Sequence, residues 1–414
     1  MDRGSVVLVV LLNLALLFHD IESKQAPSFE HFPGILAPSS LRSSVVFPLS
    51  GNVFPLGYYS VSLRIGNPPK AFDFDVDTGS DLAWVQCDAP CSGCTLPRER
   101  QYKPMRNMVQ CSDPLCLALH FPNKPKCLKP TDQCDYEVSY ADQGSSMGVL
   151  VIDQIPFTLL NGSASSVRLA FGCGYDQQVP GPHPPPATAG VLGIGRGIIS
   201  FLTQLVTAGL TKNVMGHCLS HKGGGFLFFG DNPIPSSGVA WAKLSKDGHY
   251  SVGSAELLFN GKSTGEKGLD LIFDSGSSYT YFNSKTYQTI VNLITNDLKG
   301  KPLKDAKEDR TLPICWKGAK PFKSVLDAKS FFKTLTISFS GWIRKTQFQI
   351  QPESYLIVTT GNVCLGILNG SEVGLQNANV IGDIFMQGTM VIYDNEKQQL
   401  GWVSADCDKH PRLS

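Results

Sequence analysis

Apolar and polar positions alternate in residues 71–87, AFDFDVDTGSDLAWVQC, as is typical of a β-strand with one buried face. The strand ends at Asp77, and a short polar turn follows it, formed by Thr78, Gly79 and Ser80. Most Asp-Thr-Gly tripeptides are turns in which the carboxylate accepts backbone hydrogen bonds. One copy of this pattern therefore favours a turn motif, and a catalytic acid is the less common alternative.

The same pattern occurs a second time in residues 269–282, LDLIFDSGSSYTYF. An apolar run with a period of two leads into Asp274, which is followed by Ser275, Gly276 and Ser277. Asp274 lies 197 residues after Asp77, close to half of the chain. A weak internal repeat at this distance predicts two lobes built on one plan, each of which contributes one carboxylate.

Two carboxyl groups that face each other cannot both ionise at low cost, so they share a proton and titrate as a coupled pair. Such a pair can hold a water molecule, remove a proton from it and protonate a carbonyl oxygen. The glycines of both turns allow the backbone to approach closely. The hydroxyls of Ser80 and Ser277 can donate to the outer carboxylate oxygens and hold the pair in place.

The remainder of the chain indicates a β-rich protein. Its 414 residues suit two lobes of roughly 150 to 200 residues each. With 42% apolar residues, 40 glycines and 27 prolines, we expect an all-β fold with a few short helices. Helical periodicity is clearest at 200–210 and 283–300. We place an N-terminal lobe at 51–240 and a C-terminal lobe at 241–414, and the net charge of +1 gives no basis for nucleic-acid binding.

The N-terminus predicts entry into the secretory pathway. Arg3 precedes an apolar stretch, 6–18, which is too short to span a bilayer but is typical of a signal peptide. We place that signal peptide at 1–23, with a membrane anchor as the alternative. Residues 24–50 are rich in proline and serine and are interpreted as a short pro-segment or leader. No stable membrane anchor is expected.

The twelve cysteines are an even number in a chain with a predicted signal peptide, which favours a disulfide framework. Cys91 and Cys94 form one CxxC pair, but no matching second pair or histidine cluster completes a zinc site, so no metal is expected. Asn161 and Asn369 each begin an Asn-Gly-Ser triplet and are candidate glycosylation sites. The residues alone leave the connectivity of the cysteines open.

Further motifs accompany the two acids. Trp84 follows the first acid by seven residues, and the segments AGVLGIG, 189–195, and NVIGDIFM, 379–386, contain Gly193 and Gly382. Together with both acids, these motifs resemble the pepsin-like aspartic endopeptidases across nearly the whole mature region. The resemblance implies a bilobal fold of two β-barrel-like lobes with the active-site cleft between them. It also implies that both glycines let their strands pack behind the catalytic loops.

Residues 134–153, CDYEVSYADQGSSMGVLVID, predict a hairpin with Gly144 and Ser145 at its turn. By the resemblance, this hairpin is the flap that closes over the cleft, Tyr140 is its aromatic residue, and Trp84 supports that tyrosine. The alternative is an ordinary core tyrosine in an ordinary hairpin. The stretch YADQGSS is longer and more acidic than the usual animal pattern, so the specificity of the flap is not carried over.

The cysteine cluster narrows the resemblance, since WVQCDAPCSGC and QCSDPLC are similar to the disulfide-rich insertion of the plant nepenthesin and nucellin-like branch. That branch implies a plant protein of the secretory pathway, located in the apoplast or vacuole. It also implies six disulfides: Cys87–Cys91, Cys94–Cys173, Cys111–Cys134, Cys116–Cys127, Cys218–Cys407 and Cys315–Cys364.

The resemblance implies an aspartic endopeptidase that hydrolyses peptide bonds at acidic pH, with a water activated between Asp77 and Asp274. No cofactor is needed, the substrates are polypeptides with bulky apolar side chains beside the cut, and a monomer is assumed. The alternative is a catalytically inactive secreted binding or inhibitor protein on the same fold. A serine hydrolase lacks support because the eight histidines are scattered along the chain. The segment GIGRG, 193–197, lacks the Lys-Ser/Thr pair of a phosphate-binding loop.

Overall fold

The computed structural model describes residues 43–179, 187–340 and 346–411. The predicted signal peptide lies outside the described residues, as does the predicted leader up to residue 42. Residues 45–50 of the predicted leader belong to the first strand of the fold, so the ordered sheet begins earlier than the sequence analysis expects. Within the described ranges, no helix combines the length and the apolar character needed to cross a bilayer.

Strands dominate the described part of the chain, which confirms the predicted mostly-β fold. The strands of the N-terminal half, in chain order, are β1 Val45–Asn52, β2 Tyr58–Ile65, β3 Lys70–Asp77, β4 Trp84–Gln86, β5 Asp135–Ser139, β6 Ser145–Thr158, β7 Ala164–Gln178, β8 Gly190–Gly193, β9 Val214–Leu219, β10 Gly225–Phe229 and β11 Ala240–Lys243. Those of the C-terminal half are β12 Ser251–Phe259, β13 Lys262–Ser263, β14 Leu269–Phe273, β15 Thr280–Phe282, β16 Leu303–Asp305, β17 Cys315–Gly318, β18 Leu335–Phe339, β19 Thr346–Ile350, β20 Leu356–Val358, β21 Val363–Leu365, β22 Ile367–Asn369, β23 Asn379–Ile381, β24 Thr389–Asp394 and β25 Gln399–Ser404.

The helices are short, and their ends follow the capping residues. In chain order they are α1 Pro114–His120, α2 Phe201–Thr207, α3 Ser284–Leu298, α4 Val325–Ala328 and α5 Asp383–Met386, with single 3-10 turns at Arg98–Arg100, Lys329–Phe331, Pro352–Ser354 and Gly370–Val373. Side chains of Ser200 and Asn283 accept hydrogen bonds from backbone N–H groups at the starts of α2 and α3. These two helices match the segments 200–210 and 283–300 that the sequence predicts.

The described strands form three sheets. Thirteen strands form one large sheet in the order β11-β25-β24-β9-β10-β1-β2-β3-β8-β4-β7-β6-β5. The second sheet has the order β19-β18-β12-β14-β23-β15-β22, with β13 paired to β12, and the third has the order β16-β17-β21-β20. The largest cluster of buried apolar side chains runs through both halves of the chain and includes Phe74 and Val76 of β3 and Phe273 of β14.

One strand arrangement occurs in both halves, and it is the structural counterpart of the internal repeat. In the N-terminal half, β8 lies between β3, to which it is parallel, and β4, to which it is antiparallel. In the C-terminal half, β23 likewise lies between the parallel β14 and the antiparallel β15. The polar turns after β3 and β14 therefore leave their sheets in equivalent ways.

The division of the chain at residue 240 does not separate two independent sheets. The C-terminal strands β24 and β25 extend the large sheet, because β24 pairs with β9 of the N-terminal half. A disulfide between Cys218 of β9 and Cys407, which follows β25, reinforces this junction. The hydroxyl of Tyr59 adds a polar link, since it donates to the Ser220 carbonyl at 2.9 Å and accepts from Gln387 at 2.9 Å.

Candidate active site

Each of the two candidate catalytic acids is held by its own turn in the same way. Asp77 ends β3, and its Oδ1 accepts the N–H of Gly79 at 2.8 Å while Oδ2 accepts the hydroxyl of Ser80. Asp274 follows β14 directly, and its Oδ1 accepts the N–H of Gly276 at 2.9 Å. Its Oδ2 accepts the hydroxyl of Ser277 at 2.7 Å. Each carboxyl group therefore has two fixed donors at its sides.

The two turns are joined directly to each other by four reciprocal hydrogen bonds. The Thr78 hydroxyl donates to the Phe273 carbonyl at 3.0 Å and accepts the N–H of Ser275 at 2.9 Å. The Ser275 hydroxyl donates to the Val76 carbonyl at 2.8 Å and accepts the N–H of Thr78 at 3.2 Å. This frame makes the position of one acid depend on the other, although 197 residues separate them in the chain.

Both acids are fully buried, with no exposed surface on either residue. Burial raises the pKa of Asp77 well above its ordinary value, and the nearby Asp274 raises it further. Burial likewise raises the pKa of Asp274, against the hydrogen bonds from Ser277 and Gly276 that lower it. Mutual repulsion at low dielectric means that one proton remains on the pair under acidic conditions.

Two glycines allow a strand to pass directly behind each turn. A Cβ on Gly193 would lie 2.6 Å from the backbone of Asp81 and Leu82. A Cβ on Gly382 would lie 2.1 Å from the carbonyl oxygen of Tyr279 and 2.5 Å from that of Ser277. Real Cβ atoms do not approach backbone so closely, so these contacts explain physically why both segments carry glycine.

The hairpin of β5 and β6 brings its tyrosine to the same region. Tyr140 follows β5, is buried, and accepts a hydrogen bond from the indole Nε1 of Trp84 at 2.6 Å. The turn spans residues 140–144, closed by the N–H of Tyr140 donating to the Gly144 carbonyl at 2.8 Å. Gln143 occupies its positive-φ position at 73°, whereas Gly144 and Ser145 lead into β6. The apex therefore comes slightly earlier than the Gly144-Ser145 turn that the sequence predicts.

Three further carboxyl groups near this region are not anticipated by the sequence analysis as site residues. Asp75 and Asp383 are 3% and 1% exposed, and each has at least one oxygen without a hydrogen-bond partner within the described residues. Asp142, in the turn of the hairpin, has a pKa that burial raises to about 6. The signal for Asp75 was available, because Asp73, Asp75 and Asp77 alternate on one face of the strand.

Four of the six cysteine pairings implied by the resemblance are wrong: Cys87–Cys91, Cys94–Cys173, Cys111–Cys134 and Cys116–Cys127. The structure instead has Cys87–Cys173, Cys91–Cys94, Cys111–Cys127 and Cys116–Cys134. Cys87 follows β4, which lies beside the β7 strand that carries Cys173, so its partner is across the sheet. Helix α1 brings Cys116 into the same buried cluster as Cys134. The other two pairs, Cys218–Cys407 and Cys315–Cys364, are those expected.

The remaining predicted residues lie away from the acids. Asn161 is exposed at the turn between β6 and β7, where its side chain accepts hydrogen bonds from Ser163. Asn369 ends β22, is half-buried, and its amide donates to Glu372 at 2.9 Å. Two groups of possible metal ligands occur in the described chain, but each contains two cysteines that are disulfide-bonded to each other, so their thiolates are not free.

Comparisons with known proteins show the family to which the chain belongs. Residues 59–231 match the family model described as xylanase inhibitor N-terminal, and residues 250–404 match the one described as xylanase inhibitor C-terminal. An aspartic proteinase of rice (Oryza sativa subsp. japonica) is 43% identical over 389 residues, which are 91% of this chain and 94% of the relative. Nepenthesin-1, an aspartic proteinase of Nepenthes gracilis, is 26% identical, covering 85% of this chain and 78% of the relative.

Solved structures show the same fold at low identity. The structure titled edgp matches with a TM-score of 0.69 and 16% identity, covering 89% of this chain and 96% of that one. Basic 7S globulin from soybean matches with a TM-score of 0.68 and 18% identity, covering 88% and 96%. The 43% identity to the rice aspartic proteinase, over 91% of this chain, shows that the chain belongs to the pepsin-like aspartic protease family of plants.

Proposed function

We propose that the protein is an aspartic endopeptidase that cleaves polypeptides at acidic pH. The observation that carries this proposal is the shared frame in which Asp77 and Asp274 are buried, each with two donors and each tied to the other turn. A water held between the two carboxyl groups attacks the scissile carbonyl carbon. The ionised acid removes a proton from that water, and the protonated acid donates to the carbonyl oxygen.

The flap and the fixed donors have distinct parts in this mechanism. The Ser80 and Ser277 hydroxyls hold Oδ2 of each acid, and the backbone N–H groups of Gly79 and Gly276 hold Oδ1, so both carboxyl groups are fixed in orientation for a water between them. The indole of Trp84 holds the Tyr140 hydroxyl, which positions the flap over the peptide. The substrate is an extended polypeptide, and most subsites in a cleft between apolar lobes favour apolar side chains.

A second candidate function is a secreted binding or inhibitor protein without catalysis. The description of the matching family models as xylanase inhibitors favours it. The intact acid pair with all four donors favours the protease, because a protein that only binds has no need to bury two repelling carboxyl groups. Cleavage of a protein substrate separates the two functions.

The test is cleavage of acid-denatured haemoglobin by the full chain between pH 3 and 5, with and without a transition-state peptide inhibitor. Asp77→Asn is expected to lower kcat by at least about 10³-fold, because an amide cannot take the proton from the water. Asp73→Asn is the matched control, since Asp73 is on the same strand and is exposed. Cleavage that persists in Asp77→Asn would refute the acid pair as the catalytic centre.

The proposed location and assembly follow from the same features. Six disulfides join all twelve cysteines, which suits an oxidising compartment of the secretory pathway and a final location in the apoplast or vacuole. The predicted leader suggests a zymogen. The exposed Asn161 is the more accessible of the two candidate glycosylation sites. We take the working form to be a monomer.

A further inference from the structure

Asp75 is a buried acid that the mechanism above does not use. It lies on β3 two residues before Asp77, so both side chains are on the same face, about 7 Å apart along the strand. Its Oδ2 accepts a hydrogen bond from the Thr188 hydroxyl at 3.1 Å. Its Oδ1 is buried without a partner in the part of the chain that the structure describes. A buried carboxyl oxygen without a partner is costly and calls for a functional explanation.

This face of β3 is the face that the flap covers. Val191 of β8 is directly opposite Asp75, and Val191 packs in one buried cluster with Trp84 and Tyr140. On the other side of Asp75, the opposite residue on β2 is Ser60. Asp75 therefore lies between the acid pair and the base of the flap, where a peptide in the cleft would pass.

The groups around Asp75 are hydroxyls and acids. Tyr58 is half-buried nearby, and its pKa is raised first by burial and then by the negative charge of Asp75. Asp383 is close enough for its own pKa to be raised by Asp75 as well as by Asp274 and Asp77, after the larger effect of burial. None of the ion pairs among the described residues involves Asp75. A basic side chain would complement these surroundings.

We propose that Asp75, Thr188 and Tyr58 form a subsite for a lysine or arginine side chain of the substrate, within two residues of the scissile bond. This proposal rests on the proposed protease function and adds a substrate class to it. An extended peptide advances about 3.4 Å per residue, so the 7 Å from Asp77 corresponds to two residues at most. An ammonium or guanidinium group supplies both the missing donor for Oδ1 and the opposite charge.

The subsite has a specific dependence on pH. Burial raises the pKa of Asp75 to about 8, against the hydrogen bond from Thr188 that lowers it. Asp75 is therefore neutral at acidic pH, and a bound cation must displace its proton. Displacement of this proton becomes easier as the pH rises, so the affinity of the subsite for the cation increases by up to about tenfold per pH unit.

Other titratable groups face the same region, and they must not be mistaken for Asp75. They are Tyr58 from β2, Asp73 and Asp77 from β3 itself, and Asp274 and Asp383 from the C-terminal half. Tyr58 stays neutral across the acidic range because its pKa is raised from 10.0. The acid pair affects every substrate alike, so a ratio of two substrates removes its contribution.

The experiment compares two peptides that differ at one position, which holds lysine in one peptide and norleucine in the other. Norleucine has the same number of side-chain carbons as lysine but carries no charge. The pair is placed in turn at each of the four positions nearest to the scissile bond. The ratio of kcat/KM for lysine over norleucine is measured between pH 3.5 and 6.5. At one position the wild-type ratio is expected to rise about tenfold or more between pH 4 and 6. In Asp75→Asn the ratio is expected to stay flat, and in the exposed control Asp73→Asn it should rise as in the wild type.

A ratio that is flat at all four positions in the wild type overturns the proposal, whether or not the variant folds. An equal rise in Asp75→Asn overturns it as well, because another acid then recognises the cation. If the wild type cleaves no peptide, the proposed function fails, and binding of non-cleavable reduced-bond peptides tests the subsite separately. A lysine-over-norleucine affinity ratio that rises with pH in calorimetry supports the subsite, and a flat one refutes it.

Discussion

At the scale of single residues, the contact between Trp84 and Tyr140 joins the tyrosine of the hairpin to strand β4. The indole Nε1 donates to the phenolic oxygen at 2.6 Å, and both residues are buried. Trp84→Phe removes the donor but keeps an aromatic ring. Since one hydrogen bond contributes about 1 kcal/mol, we expect kcat/KM to fall about five- to tenfold, with Tm changed by less than about 2 °C.

Tyr140→Phe is the matched variant, because it removes the acceptor of the same bond. The two single variants and the double variant form a cycle that measures the contact itself. If the contact positions the flap, the double variant loses little more than either single variant. Losses that simply add in the double variant would show that the indole and the phenol act independently.

The residues that could be predicted from the sequence are those whose chemistry is encoded locally. Asp77 and Asp274 are each followed within three residues by their own donors, so the chain itself displays both turns. Asp383 could not be assigned in the same way, and for Asp75 the alternation of the strand gives its face but not its burial. Their burial and their electrostatic contact depend on strands and helices from distant parts of the chain.

At the scale of elements, a strand can pass behind each catalytic turn only because one residue of that strand or its end is glycine, Gly193 behind the first turn and Gly382 behind the second. Gly382 has φ −90° and ψ −179°, a backbone conformation that alanine also adopts. The cost of Gly382→Ala is therefore steric, from a Cβ placed 2.1 Å from the Tyr279 carbonyl oxygen. We expect the free energy of unfolding to fall by about 3 kcal/mol, measured by chemical denaturation, with kcat reduced because the turn at Ser277 must move.

Gly261→Ala is the control in the same half of the chain. Gly261 has φ +75°, and nothing lies within 4 Å of its added Cβ. This variant has the conformational cost alone, about 1 kcal/mol, and full activity is expected. Equal destabilisation in both variants would show that crowding behind the catalytic turn is not what requires glycine at 382.

Structural elements could be predicted where the local sequence pattern is strong. Predictions were wrong where a residue contacts a partner that is distant in the chain. Helix α3 was predictable because Asn283 is a good capping residue and the periodicity continues to Leu298. The disulfides of the insertion were not, because Cys87 finds Cys173 only after β4 and β7 become neighbours. The pairings of the insertion were taken from the family resemblance, whereas the neighbouring strands of this sheet determine which sulfurs meet.

At the scale of the whole molecule, the two halves are one structural unit. Strands β24 and β25 complete the large sheet beside β9, and the Cys218–Cys407 disulfide closes a loop with a sequence separation of 189 residues. By contrast, Cys91–Cys94 joins residues only 3 apart. The entropic cost that a cross-link removes from the unfolded chain grows with the length of the closed loop.

We therefore expect the Cys218→Ala/Cys407→Ala double variant to lose about 3 kcal/mol more stability than the Cys91→Ala/Cys94→Ala control. Chemical denaturation of both variants and of the wild type measures the difference. The pH optimum should not move, because neither cysteine takes part in the hydrogen bonds that frame Asp77 and Asp274 among the described residues. A single cooperative transition at lower denaturant is expected, since β24 still pairs with β9. Separate unfolding of the two halves would instead mean that the disulfide, and not the shared sheet, holds the acid pair together.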